Sequence, residues 1–191
     1  QSEPAMRNLM FALPLALMPL ALASADEYAH DHGSLDKHQH GVASLNVALE
    51  GAKLEIELES PAMNILGFEY TPSSQSDQAT ATAARAALQS PLELFALPAA
   101  ADCAVSEVEV ESPLFANDDH EHTHADDKGE SHSEIDAAYE LTCRQPEALT
   151  SLSLAPLFKQ FPGMTKVTVQ LITANDQKGA ELTPAGPLID F

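Results

Sequence analysis

The chain has 191 residues, 29 acidic side chains against nine lysines and arginines, a formal net charge of −20 and two cysteines. A surface this negative repels phosphate backbones and anionic lipid, which sets nucleic acid and membrane surfaces aside as partners and favours cations. The length suits one domain with a real hydrophobic core.

The first stretch reads as a leader and secretory signal over residues 1–25. Arg7 follows Met6 as the positive region, and Leu9 to Leu22 runs without a charge, broken by Pro14 and Pro19. That run is about 14 residues, short of the roughly 20 that a membrane span needs. "ALASA" ends in the small-x-small pattern of signal peptidase, so cleavage is expected after Ala25 and no membrane anchor in the mature chain. Removing Glu3 and Arg7 leaves 28 acids and eight bases, still net −20.

Residues 26–41 are polar, have no apolar period and read as a histidine-rich mobile arm. A single globular domain is expected over 42–191. "ASLNVALE" and "AKLEIELE" alternate apolar and polar residues around Glu50-Gly51-Ala52, a hairpin with one dry and one wet face. "PAMNILGFEY" is a compact apolar stretch. "SSQSDQATATAARAALQS" reads as the main helix, stopped by Pro91, and "PLELFAL" as a short helical continuation.

"CAVSEVEVE" and "EIDAAYELTC" are the next strands. The second places Ile135, Ala137, Tyr139, Leu141 and Cys143 on one face. Export to an oxidising compartment favours a Cys103–Cys143 disulfide over two buried free thiols. Closing such a loop is worth about 4 kcal/mol in the chain-entropy treatment. If the cysteines face each other in an antiparallel pair, Val105 opposes Leu141 and leaves Val108 and Val110 out of phase. One bulge near Ser106-Glu107 restores the dry face. Then follow "SLSL", a turn at "PLFKQF", a strong strand "KVTVQLIT", a strand "KGAELT" and the tail "PLIDF". The expected class is α+β: a mainly antiparallel sheet with one main helix and a long hairpin loop, rich in histidine and acid, at about 113–134.

The eight histidines occupy two places only: His30, His32, His38 and His40 in the arm, and His120, His122, His124 and His132 in the loop. Residues two apart in extended chain project to the same side, so paired imidazoles can converge on one ion. Neutral imidazole suits zinc, copper and nickel, and neighbouring carboxylates add ligands or orient the rings. His120-Glu121-His122-Thr123-His124 matches the H-E-x-x-H protease pattern, but 117–133 offers no apolar face to hold a catalytic helix. The longer metzincin form also fails at Asp127 and Glu130. With the thiols paired and no nucleophile–base set readable, an enzyme is not expected. Glu69, an acid inside an apolar run, is either an outward strand-edge residue or a carboxylate ligand that the folded body presents to the arm.

"HQHGVASLNVALEGAKLEIELESPAMNILGFE" resembles the opening of the ZrgA-like family of bacterial periplasmic zinc-binding proteins. The resemblance is carried by His38, His40, Gly41, Pro61, Ala62, Asn64, Gly67, Phe68 and Glu69. It extends to the cysteines flanking the histidine-rich insert and to the closing "TVQLITANDQKGAELT". It implies Zn2+ binding in a Gram-negative periplasm and a role in zinc acquisition beside an ABC importer. Two rival readings remain at this level: a copper or nickel buffer, and an acidic module that docks a basic protein with metal incidental.

Overall fold

The computed structural model describes residues 39–115 and 133–191. Alternating apolar side chains build the first hairpin from β1 (Val42–Glu50) and β2 (Lys53–Pro61). Their antiparallel register pairs Leu45 with Leu58 and Val47 with Ile56, all buried, while Glu55, Glu57 and Glu59 take the opposite face. β3 (Cys103–Glu111) and β4 (Glu134–Cys143) form the second antiparallel pair. β4 lies against β2. With β6 (Lys166–Thr173) and β7 (Gln177–Leu182) they complete a six-stranded sheet in the order β3-β4-β2-β1-β6-β7. β1 and β6 run parallel, the one parallel pair of that sheet. β5 (Ser151–Ser153) and β8 (Leu188–Asp190) make a separate two-stranded ladder with Leu152 opposite Ile189.

The structure is therefore α+β and mostly antiparallel, as the alternation indicates. The register of β3 on β4 shifts between Val105 and Glu107. This bulge lies where the valine phase requires it, and it returns Val110 to the buried face. Cys103 lies directly opposite Cys143 and the two form a disulfide, with Cα atoms 3.8 Å apart. Ile135, Ala137, Tyr139, Leu141 and Cys143 are all buried.

Four α-helices accompany the sheet among the described residues. α2 (Gln75–Leu88) is the main one, capped where the Ser74 hydroxyl accepts from the Asp77 amide. It buries Ala81, Ala84 and Leu88, the small residues permitting close approach. α3 (Pro91–Leu94) begins at its proline, whose fixed φ suits a first helical position. α1 (Ala62–Leu66) condenses the apolar stretch after β2. α4 (Ala155–Gln160) replaces the expected "PLFKQF" turn, because Leu157 and Phe158 both enter the core and one helical turn aligns them. No described helix is long and apolar enough to cross a membrane.

The packed body also extends into residues that the polarity pattern assigns to the loop. Leu114 and Phe115 are buried, and the Arg85 guanidinium lies 5.8 Å from the centre of the Phe115 ring. The Ser112 hydroxyl donates to the Glu134 carbonyl at 2.7 Å. Four features share the end of the sheet opposite the disulfide: the start of β1, the β2–α1 junction, the last described residues on either side of 116–132, and the loop before β6.

Candidate metal centre

His40 sits one residue before Gly41, whose φ of +86° lies in the left-handed region that a β-carbon disfavours. The Gly41 amide donates to the Asn64 side-chain oxygen. Its carbonyl accepts from the Thr165 and Lys166 amides at 2.8 and 2.9 Å and from the Thr165 hydroxyl at 3.0 Å. A β-carbon on residue 41 would lie 2.7 Å from that hydroxyl oxygen, so space and backbone both require glycine. His40 therefore leaves a fixed turn. The sequence places it in a mobile arm, but the contacts that hold it are long-range and invisible to local polarity.

Glu69 reaches the same place from another element. α1 ends at Gly67, again left-handed with φ +80°, whose amide donates to the Met63 carbonyl. That turn sends Phe68 into the core and leaves Glu69 beside His40. The His40 Nε2 and Glu69 Oε1 atoms stand 3.0 Å apart, the imidazole half exposed and the carboxylate side chain 15% exposed. Glu69 is thus not a strand-edge residue. It lies in the loop after α1 with its side chain turned to the imidazole. Its carbonyl accepts from the Ser133 hydroxyl at 3.1 Å, and the Ser133 carbonyl accepts from the Ala62 amide at 2.8 Å. Chain beyond the loop is thereby tied to the same spot.

Imidazole and carboxylate are both ligand types that zinc accepts. With Zn–N and Zn–O bonds of about 2.0–2.2 Å, two ligands of a tetrahedral ion stand roughly 3.3 Å apart. His40 and Glu69 need to open by only a few tenths of an ångström. Among the described residues no three of His, Cys, Asp and Glu converge. His30, His32, His38, His120, His122, His124 and His132 lie outside the described residues.

The polar face of the sheet sets the electrostatic surroundings. Glu107, Glu140 and Glu55 form one row across β3, β4 and β2, and Glu111, Asp136 and Glu59 another. Lys53 bridges Glu55 and Glu140 at 2.6 and 2.7 Å. Its ammonium is held above the usual lysine value by the Glu140 hydrogen bond first and the Glu55 one second. On the opposite face, burial pushes the Tyr139 phenol up.

Sequence reasoning passed over Asn64 and Ser133 as parts of this arrangement. A signal for Asn64 existed: a lone amide in "AMNIL" falls on the buried side of a short helix, where it must find partners.

A largely buried carboxylate facing a half-exposed imidazole, on a body of strong negative charge, is an arrangement whose chemistry suits a cation. The family model described as ZrgA family zinc uptake protein matches residues 37–191, and the chain belongs to that family. The matched span contains His38, His40, Glu69, the disulfide and the eight strands found among the described residues. No curated protein matches the chain.

Proposed function

We propose that this is a non-enzymatic periplasmic protein that captures Zn2+ and hands it over, or holds it in reserve, beside an ABC importer. The observation that carries this reading is the 3.0 Å approach of His40 to Glu69. It occurs where both histidine-bearing segments join the body: His38 lies two residues before His40, and His132 precedes Ser133. His40 and Glu69 are the preformed half of the centre. His38 and His132 are the nearest further donors by chain connection. His30, His32, His120, His122 and His124, with their neighbouring acids, supply additional weaker sites. Open, partly assembled sites suit exchange better than a closed four-ligand site. Family membership supports zinc as the cargo over copper or nickel.

Tag-free mature protein is expected to bind more than one Zn2+. His40→Ala and Glu69→Ala should each weaken the tightest site at least tenfold in competition with a chromophoric chelator, with unchanged melting. Wild-type affinity in both variants would sink the proposed centre. Imidazole binds metal only when neutral, with an ordinary pKa of about 6.5. Affinity should therefore fall steeply between roughly pH 7 and 5.5, with proton release on binding. A flat profile in calorimetry would remove histidine as the principal ligand. A deletion strain should fail to grow under zinc chelation, whereas a resistance protein would be needed under metal excess instead.

A further inference from the structure

Asn64 sits on α1, ahead of Glu69, and its side chain bonds the Gly41–Val42 segment that follows His40, so it links the two chain segments that deliver the pair. It is 3% exposed. Its oxygen accepts from the Gly41 amide, and its amide nitrogen donates to the Val42 carbonyl at 2.9 Å and to the Ser60 hydroxyl at 3.1 Å. Ser60 itself is fully buried at the end of β2 and donates to the Pro61 carbonyl. Asn64 also belongs to α1, the helix whose left-handed C-terminal turn places Glu69. From the other side, Gly163 presses on the Asn64 backbone so closely that a β-carbon there would lie 2.6 Å from the Asn64 carbonyl oxygen.

Every hydrogen-bonding capacity that this amide uses is spent on fixing position. One oxygen and two N–H groups meet two backbone groups and one hydroxyl in a buried setting, where an unmade bond is costly. No aliphatic residue can hold the Gly41 amide. An aspartate could accept from Gly41 but would set a carboxylate against the Val42 carbonyl. The bonds cross 22 to 23 residues of sequence, from the helix before Glu69 to the two residues after His40.

We propose that Asn64 is the positioning residue of the metal centre: it locks the Gly41–Val42 segment onto α1 and thereby holds the His40 imidazole against the Glu69 carboxylate before metal arrives. The proposal rests on the reading of His40 and Glu69 as ligands. Without the clamp only the bonds to the Gly41 carbonyl hold this turn against the body, and the loosened imidazole would have to be fixed at the moment of binding, a cost that would appear as lost affinity.

The experiment is a double-mutant cycle on the full mature chain, read by zinc competition and by thermal melting. His40→Ala should weaken the tightest site at least tenfold. Asn64→Ala should weaken it about tenfold at a temperature where the protein is still folded. Asn64→Ala added to His40→Ala should change it by less than twofold, since there is then no imidazole to position. If Asn64→Ala does not fold, Ser60→Ala removes one anchor of the amide. It should weaken binding two- to threefold in the wild-type background and not at all with His40→Ala. Wild-type affinity in a folded Asn64 or Ser60 variant, with His40→Ala still weak, overturns the positioning role and leaves the ligands standing. An undiminished effect in the His40→Ala background also overturns it. Wild-type affinity in His40→Ala instead removes the proposed ligand, and the positioning role with it.

Discussion

The two ends of the sheet are held by different chemistry. At one end the Cys103–Cys143 bond joins β3 to β4 covalently, next to the tight β1–β2 turn. At the other end, about 30 Å away along nine-residue strands, the described chain is held without a covalent cross-link, by apolar packing and by hydrogen bonds. Gly41, Asn64, Ser112, Ser133 and Thr165 make them, and His40 meets Glu69 among them. A covalent closure supplies stability without needing to move. A centre that must take up and release an ion is better built from bonds that can yield by a few tenths of an ångström. If the proposed centre is right, covalent stability and cation chemistry occupy opposite ends of one sheet, and each should respond to its own substitutions.

The strongest test of that separation is to open the disulfide. Cys103→Ala with Cys143→Ala should cost about 4 kcal/mol in denaturant unfolding, from a loop whose ends are 40 residues apart. Zinc affinity at the tightest site should stay within twofold. A tenfold loss of affinity would show that the two ends are coupled. Gly41→Ala works from the other end. The left-handed φ and the Thr165 hydroxyl together should cost about 1–3 kcal/mol and weaken zinc several-fold as His40 moves. Loss of stability with undiminished zinc affinity would detach His40 from the centre.

Smaller changes sharpen the contrast between the two faces. The Tyr139 hydroxyl is buried and has no hydrogen-bond partner among the described residues, while its ring meets Phe95 edge-on at 5.4 Å. Tyr139→Phe keeps the ring contact and removes the orphaned oxygen, so it should stabilise by about 1 kcal/mol. A lower melting temperature would mean the hydroxyl is satisfied in solution. The smallest effect is expected at Lys53. Its raised pKa means that its contribution is complete below the unfolded lysine value of about 10.4 and is lost as pH rises through the folded value. Lys53→Met should lower the melting temperature slightly at neutral pH, more at low salt, and not at strongly alkaline pH. A salt-independent difference would rule out relief of the Glu55–Glu140 repulsion as the cause.

How much of this was legible depends on the range of the contacts. The β1–β2 hairpin was readable because its apolar period is local, and so were α2 and the buried face of β4. The bulge at Ser106 was readable too, because two cysteines and three valines over-determine the register of β3 on β4. α4 was not, since six residues of "APLFKQ" carry too short a period to distinguish a turn from a helix. The candidate centre was half legible. Its residue types were visible in the chain, but its meeting point was not.

Composition and alternation by themselves determined the acidic surface, the two-faced strands, the disulfide partners and the confinement of histidine to two segments. Each rests on neighbours in sequence or on a count. Tertiary structure alone decided that β1 runs parallel to β6, which brings Thr165 to Gly41 across 124 residues. It alone decided that Glu69 meets His40 across 29. Contacts of that span leave no period in the sequence. They exist only because a buried core forces distant segments to one end of the sheet, where each backbone group must find a partner.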